Sequence, residues 1–203
     1  MTLVLRAKST RFYAYLLWFL AGVILLASVM NGGFSELIWA TPVSALIAAI
    51  GWATFWNPRI EVGPGGLRIV NIVREHLVPW SDLHFAENRW GLYVYSKTDA
   101  KKMSVWAVPS NAGIFSGSKR NRPEPEAIRW DDGGKFDQLA DSKFVAALIE
   151  TRAGQIRRDA HLRAELAEQA NDWPAATMTR ILPLPIALVG VLTVLTALMF
   201  TTN

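Results

Sequence analysis

The chain has 203 residues, of which 51% are hydrophobic, and it carries a formal net charge of +4 at pH 7. It contains no cysteine, which excludes a disulfide framework, a thiol nucleophile and a cysteine-based zinc site. The positive charge is mild, and the sequence shows no recognition helix or basic-aromatic platform, so nucleic acid is not an expected partner.

Three uncharged apolar blocks hold much of the hydrophobic weight, at residues 12–30, 37–56 and 181–200. A helix needs about 20 such residues to cross a bilayer. A cleaved signal peptide fits the first block poorly, because no small-x-small cleavage site follows it and the second block begins within a few residues. The sequence therefore predicts three transmembrane helices.

The distribution of Lys and Arg predicts how these spans are oriented. Basic residues precede the first block, the short loop between the first two blocks has none, and the others lie between residues 59 and 180. Because basic residues near spans mark the cytoplasmic side, we expect a multi-pass protein of the bacterial inner (plasma) membrane. Its N-terminus (1–11) and the region 57–172 would be cytoplasmic, 12–56 a membrane hairpin, and 173–203 a third span with a short outer tail.

Small residues recur every four positions along the second block. A stripe of this kind lets another helix approach closely. The first block, the third block or another protein could supply that helix. The candidate helix-packing interface consists of Thr41, Ala45, Ala49 and Ala53.

From residue 58 the hydrophobic pattern changes to a period of two, and short β-branched runs alternate with turn signals as far as residue 108. This pattern is typical of a β-sandwich or barrel. The glycines of the stretch 63–66 could suggest a phosphate-binding loop, but a dinucleotide fingerprint needs a helix after its glycines. A β-branched run follows here, so the stretch is interpreted as a turn between strands.

Residues 109–136 form an irregular insert, which is long for a loop and is therefore either functional or partly disordered. Residues 138–171 are then predicted to be one helix. Its first half has an apolar side, and its second half is charged with alanine spacers, which is typical of a solvated helix leading back to the membrane.

Basic residues in the insert, with two lysines from a preceding turn, are candidate contacts for anionic lipid headgroups. Each basic residue near an anionic leaflet can contribute about 1 kcal/mol. Acidic residues follow the cluster closely, so a solvated loop is the alternative interpretation. The candidate lipid contacts are Lys101, Lys102, Lys119, Arg120, Arg122 and Arg129.

Trp130 is the candidate protein-interface residue, because it is a large aromatic side chain in an irregular, charged segment. No catalytic, cofactor-binding or metal site is predicted. The three histidines lack metal-ligand spacing, and the acidic pair at 131–132 lacks the alternating carboxylates of a calcium loop. Ser81 has no glycine elbow around it and is expected to cap a turn. The chain is therefore not expected to be an enzyme.

The phrase GLRIVNIVREHLVPWSDL, after two apolar spans, resembles the bacterial PH-domain membrane proteins. It is similar in particular to an actinobacterial group named for a low-molecular-weight protein antigen. The resemblance covers about residues 56–110, with the helix after the insert as a capping helix. The matching positions are Pro58, Gly66, Leu67, Arg68, Arg74, Pro79, Trp80, Ser81 and Asp82. It implies two nearly orthogonal antiparallel sheets closed by a C-terminal helix, and it supplies no catalytic residues.

The expected fold is thus membrane α plus cytoplasmic β, with a PH-like domain inserted between spans two and three. The leading hypothesis is a non-enzymatic accessory, adaptor or assembly subunit of a larger inner-membrane complex, a respiratory-chain complex being one conceivable host. The alternative is a sensor of anionic lipids or envelope stress. The expected partners are subunits of a membrane complex and the lipid bilayer, including anionic headgroups.

Overall fold

The computed structural model describes residues 2–98, 101–109, 130, 135–170 and 173–201. The chain divides into two compact units. One comprises Met1–Lys8 and Pro58–Arg180, and the other comprises Ser9–Asn57 and Ile181–Asn203.

The described residues form nine strands and four α-helices. The strands are β1 (Thr2–Arg6), β2 (Arg59–Val62), β3 (Gly66–Val70), β4 (Arg74–Pro79), β5 (Leu83–Asn88), β6 (Leu92–Ser96), β7 (Lys102–Ser104), β8 (Lys135–Leu139) and β9 (Met178–Ile181). The helices are α1 (Lys8–Gly51), extended by a π-helical turn (Trp52–Trp56), α2 (Ser142–Arg158), α3 (Ala160–Gln169) and α4 (Pro183–Thr201).

The strands form two sheets, one in the order β8-β1-β2-β3-β4-β9 and the other in the order β5-β6-β7. Cross-strand partners such as Ile60 and Ile69, or Leu67 and Val78, are completely buried. Alternation along the strands places these side chains on the core face. The expectation of purely antiparallel sheets is wrong at one pair, because β8 lies parallel to β1. The larger sheet is therefore mixed.

Residues 2–6, to which the sequence assigned no element, form β1 at the centre of this mixed pairing. Leu3, Val4 and Leu5 are buried, and Leu5 pairs with Ile60, although the whole of α1 lies between them in the sequence. A segment of five residues just before an apolar block is too short for its hydrophobic pattern to predict a strand. The structure shows that the unit containing the sheets uses chain from both sides of α1.

The predicted helix over 138–171 begins later and is divided in two. The Asp141 carboxylate accepts a hydrogen bond from the amide of Phe144 at 2.7 Å, which caps α2 at its start. The residues just before it pair with β1 as β8 instead of extending the helix. Asp159 then interrupts the helix and caps α3, accepting a hydrogen bond from the amide of His161 at 2.9 Å. α2 packs against β5 and β6 and covers the core.

The second unit contains two helices that are long and apolar enough to cross a membrane, Lys8–Trp56 and Pro183–Thr201. The prediction of three transmembrane helices is therefore corrected to two apolar helices. The first two predicted blocks lie in one helical element, because the segment expected to be a loop between them is itself helical. The backbone departs from helical geometry inside α1 at Gly33, with φ 63° and ψ −145°. This conformation is readily accessible to glycine.

The two arms of α1 fold back against each other about Gly33. The indole nitrogen of Trp18 donates a hydrogen bond to the carbonyl of Ala48 at 3.1 Å. A straight helix would separate these residues by about 45 Å. The rings of Tyr13 and Phe55 are 5.5 Å apart, which extends the contact along the arms. α1 is therefore a helical hairpin.

Candidate functional site

The turn between β2 and β3, residues 63–66, forms one wall of the candidate site, and the structure confirms its interpretation as a turn. A Cβ atom on Gly65 would lie 2.2 Å from a ring carbon of Trp173. A Cβ atom on Gly66, which has φ 153°, would lie 2.2 Å from the carbonyl oxygen of Val78. The two glycines therefore allow β4 and an indole ring to approach the backbone.

Trp80 fixes the same turn through its own hydrogen bonds. Its indole nitrogen donates to the carbonyl of Gly63 at 3.0 Å, and its amide donates to the carbonyl of Gly65 at 3.3 Å. The ring also packs against the hydrophobic core. Two indoles, Trp80 and Trp173, thus hold the glycine turn in place.

A cleft of about 510 Å³ opens between this turn, the residues that follow β4, and the helices α2 and α3. We call it the tryptophan cleft. Among the described residues that line it are three cations and no Asp or Glu. Its lining includes Trp80, Lys97, Arg157, Arg163, Leu166 and Trp173.

The three cations of the tryptophan cleft differ in how far they are engaged. Lys97 donates from Nζ to the carbonyl of Ser81 at 2.8 Å. Arg157 lies 3.7 Å from a carboxylate oxygen of Glu150. Within the described part of the chain, the exposed side chain of Arg163 makes no hydrogen bond or ion pair. The cleft thus carries positive charge that the described residues only partly offset.

Asp82 follows the cleft residues of the Pro-Trp-Ser stretch and is buried. Its carboxylate accepts hydrogen bonds from the hydroxyl of Ser96 at 2.8 Å, from the amide and hydroxyl of Thr98, and from the amide and hydroxyl of Thr177. Burial raises the pKa of the Asp82 carboxyl, but the hydrogen bonds from Thr177, Thr98 and Ser96 outweigh it and hold that pKa well below its usual value. Asp82 is therefore a buried structural anion.

A second cavity, of about 360 Å³, lies between the β3–β4 hairpin and β7. The basic face, as we name the surface around it, consists of Val73, Arg74, Lys101, Lys102 and Trp106. The ammonium of Lys102 lies 3.9 Å from the ring centroid of Tyr93, which is a cation–π contact. The structure therefore brings two of the predicted lipid contacts together on one surface.

The other predicted lipid contacts, Lys119, Arg120, Arg122 and Arg129, lie outside the described residues.

His76 lies beside the basic face and contacts β9. Its Nδ1 atom is 2.9 Å from the hydroxyl oxygen of Thr179, to which Lys101 also donates at 2.9 Å. Burial lowers the pKa of His76, and the positive charges of Lys101 and Arg74 lower it further. The ring therefore favours its neutral form in the folded protein.

Trp130, the predicted protein-interface residue, packs against the hydrophobic core and is half-buried. The guanidinium carbon of Arg152 lies 4.5 Å from its ring centroid. Part of the Trp130 ring therefore packs inside the protein. Its role in binding another protein stays a prediction.

The small-residue stripe of the second block is used inside the hairpin over part of its length. Ala49 and Ala53 are buried, Ala45 is half-buried and Thr41 is exposed. A Cβ atom on Gly51, between the buried alanines, would lie 3.1 Å from Cβ of Leu17 on the other arm. The first block thus supplies a neighbouring helix, and binding of another protein along the stripe stays a prediction.

The tryptophan cleft was missed by sequence reasoning. Arg163 and Leu166 lie in the segment interpreted as a solvated helix, and Trp173 lies just beyond its predicted end. The cleft combines residues from five separate stretches of chain, so no local spacing signals it. The Pro-Trp-Ser motif was the one available pointer, because Trp80 and its neighbours form part of the wall.

No group of three or more His, Cys, Asp or Glu side chains within the described ranges is placed to hold a metal ion.

Residues 57–113 match the family model described as Bacterial PH domain. The match confirms the resemblance to bacterial PH-domain proteins and includes the glycine turn and Trp80. It indicates a non-enzymatic domain that binds proteins or lipids. The narrower likeness to one actinobacterial group stays a prediction. Comparisons with curated proteins and with solved structures gave no match.

Proposed function

We propose that the protein is a non-enzymatic, membrane-anchored PH-like protein that acts as an accessory, adaptor or assembly subunit of a larger inner-membrane complex. The observation that carries the proposal is the shortness of the connectors between the PH-like unit and the apolar helices. Ala7 alone separates β1 from α1, and Leu182 alone separates β9 from α4. Asn57 and Pro58 separate the π-helical turn from β2.

Such connectors are much shorter than a flexible linker between domains. Two extended residues span at most about 7 Å. A domain that searches the cytoplasm for a ligand is better served by a long flexible linker. Three short connectors favour a module that acts on a neighbour in the same membrane over one that searches the cytoplasm.

We infer that each arm of the α1 hairpin crosses the membrane once, so that the two apolar helices make three crossings. β1, β2 and β9 belong to one sheet, so in this proposed topology all three are on one side of the bilayer. The chain between β1 and β2 then crosses the membrane an even number of times. Two crossings by the arms of α1 and one by α4 meet this condition. The distribution of basic residues favours a cytoplasmic sheet and an outer C-terminus.

The subunit role is tested by affinity purification of the tagged protein at its native level in mild detergent, followed by mass spectrometry. We expect stoichiometric recovery with the subunits of one membrane complex. The control is an inner-membrane protein of similar abundance with the same tag. Recovery of the protein alone, with only lipid attached, contradicts the subunit role.

Contact with anionic lipid is a second candidate function, favoured by the position of the basic face. The amide of Ala7, the connector to α1, donates to the carbonyl of Ala107 at 3.0 Å. The neighbouring Trp106 is 46% exposed, and Val73 is 42% exposed. An exposed tryptophan beside several cations, close to where the chain continues into an apolar helix, is typical of the membrane–water interface.

This second function is tested with the full chain in nanodiscs of brominated phosphatidylcholine, with or without phosphatidylglycerol. We expect phosphatidylglycerol to increase the quenching of Trp106 fluorescence, measured as the difference from Trp106→Phe. The double variant Lys101→Gln/Lys102→Gln should lose this increase. The control Lys143→Gln, exposed on α2, should keep it. Quenching that is the same in both lipids contradicts lipid contact by the basic face.

A further inference from the structure

We propose that the tryptophan cleft binds an acidic segment of a partner protein, in which a carboxylate side chain stands next to a large apolar side chain. The inference rests on the proposed function for the existence of a partner protein. It adds the place where the partner binds and the chemistry of the bound segment.

The floor of the tryptophan cleft is apolar and preformed. Trp80 is held by its hydrogen bond to Gly63, and Trp173 is held against the glycine turn. Leu166 is buried beneath the α3 side of the cleft. A volume of about 510 Å³ lies within the usual range for ligand pockets and accommodates an aromatic or long aliphatic side chain with its neighbours. The floor therefore suits an apolar anchor.

The charges of the cleft determine which residue can stand next to the apolar anchor in the bound segment. Lys97, Arg157 and Arg163 line the cleft, and the described lining residues include no acid. Lys97 uses one donor on the carbonyl of Ser81, and an ammonium has three. Arg163 has all of its guanidinium donors free of partners among the described residues. A carboxylate placed here would receive charge-assisted hydrogen bonds without displacing an acid.

The register of the sheet favours a protein segment over a membrane lipid. Gly66 pairs with Pro79 at the cleft end of β3, whereas Val70 pairs with Arg59 beside the connector to the π-helical turn. The strand between these ends spans about 13 Å. The cleft thus lies at the end of the sheet away from this connector, while the basic face lies beside the connector to α1. An acidic segment of a protein is therefore the occupant that we infer.

The test uses the full chain in detergent micelles, labelled with 5-fluorotryptophan and observed by fluorine NMR. Trp80→Phe and Trp173→Phe assign the two resonances of the cleft. The probes are the peptide acetyl-Glu-Phe-Glu-Leu-amide and its neutral counterpart acetyl-Gln-Phe-Gln-Leu-amide. We expect the acidic peptide to shift both resonances and to bind about tenfold more tightly than the neutral one.

Variants localise the effect. Arg163→Gln is expected to weaken binding of the acidic peptide by about fivefold, and Lys97→Gln/Arg163→Gln by more. The matched control is Arg158→Gln, since Arg158 is exposed on the preceding helix and does not line the cleft. Its affinity should equal that of the wild type. All three changes concern long, polar side chains, so the fold should be retained.

Four results would overturn the inference. One is no shift of the two resonances at millimolar peptide, and another is equal affinity for the acidic and neutral peptides. A shift produced by phosphatidylglycerol nanodiscs, but not by peptide, would make the occupant a lipid. Peptide affinity that rises when residues 110–129 are deleted would make the occupant the chain's own insert, which carries Glu124 and Glu126.

Failure of this inference is distinguishable from failure of the subunit role. A complex that co-purifies equally with wild type and Arg163→Gln, without peptide binding, overturns the assignment of the cleft and retains the subunit role. Peptide binding that requires Arg163, without any co-purifying complex, overturns the subunit role and supports the cleft as a site for acidic segments.

Discussion

Thr177 donates two hydrogen bonds to the carboxylate of Asp82, one from its amide at 2.8 Å and one from its hydroxyl. The two residues are 95 positions apart, and Thr177 lies immediately before β9, from which the chain continues to α4. Ser96 and Thr98 donate to the same carboxylate. One buried anion therefore joins the loop after β4, the end of β6 and the approach to the last helix.

Asp82→Asn is expected to lower the free energy of unfolding by about 2–4 kcal/mol. An amide offers one acceptor oxygen to a site built from donors, and its own NH₂ group would face those donors. The measurement is guanidinium denaturation of the full chain in detergent, followed by tryptophan fluorescence. Glu168→Gln, exposed on α3, is the control and should change stability by less than about 0.5 kcal/mol. An equally small effect of Asp82→Asn would show that the carboxylate is dispensable.

The same carboxylate predicts loss of stability in acid. The pKa of Asp82 in the folded protein lies below its ordinary value of 3.8, so the unfolded chain takes up the proton first as the pH falls. Its contribution to stability is therefore complete above about pH 5 and is lost progressively below about pH 4. Denaturation midpoints measured from pH 7 to pH 3 should fall less steeply for Asp82→Asn than for the wild type. Parallel curves would contradict this assignment.

His76 predicts a second dependence on pH, at higher values. Its pKa in the folded protein lies below 6.5, so the unfolded chain binds the proton first. The contribution of neutral His76 is complete above pH 6.5 and is lost as the pH falls below that value. We expect the denaturation midpoint of His76→Gln to depend less on pH between pH 7 and pH 5.5 than that of the wild type. His161→Gln, a change at an exposed position on α3, should leave the pH dependence of the midpoint unchanged. A slope that His161→Gln removes instead would reject the prediction.

The glycine turn predicts a contrast between two neighbouring substitutions. Gly66→Ala should cost about 2–4 kcal/mol of stability, because its φ is 153° and its Cβ would meet backbone atoms of β4. Gly63→Ala should cost less than about 1 kcal/mol, because the nearest atom to its Cβ is the hydroxyl of Thr2 at 3.4 Å. Thermal melts of both variants provide the comparison, and equal losses would count against the geometry of the turn.

The hairpin of α1 is testable by cross-linking, because the chain has no cysteine of its own. Leu17→Cys/Gly51→Cys is expected to form a disulfide under mild oxidation, since the two Cβ positions lie 3.1 Å apart and disulfides need about 3.5–4.5 Å. A straight helix would place them about 50 Å apart. Leu17→Cys/Phe34→Cys is the control pair and should stay reduced. Cross-linking of both pairs, or of neither, would refute the hairpin contact.

The strands β2 to β7 were predictable, because polar and apolar residues alternate along β2 and β6 and the stretch containing β3 is rich in β-branched residues. β9 was not predicted, because its residues lie in the segment assigned to the third span. The Pro-Trp-Ser-Asp phrase was also a correct pointer to a bacterial PH domain. β1 and β8 were not predictable, because each is only five residues long and forms a strand by pairing with a segment far away in the chain. A strand of this length shows too few alternations of polar and apolar residues to be recognised in the sequence.

The candidate site was less predictable than the fold. Asp82 reads as an ordinary turn residue, and only the approach of Thr177 reveals why a charge is buried there. Arg163 was interpreted as part of a solvated helix surface. The helix is largely exposed, but Arg163 lines the cleft together with Trp173. Local sequence shows which side chains are charged, whereas the tertiary fold decides which of them face a common cleft.

β1 also has a consequence for how the protein is made. It is synthesised before both of its strand neighbours, since β2 follows the whole of α1 and β8 comes later still. Until then Leu3, Val4 and Leu5 have no sheet in which to be buried. In the proposed topology, an α1 that inserted with only one arm would leave β1 and β2 on opposite faces of the membrane. In that topology, completion of the sheet requires both arms of α1 to insert, and a misinserted chain would leave β1 as an unpaired apolar strand.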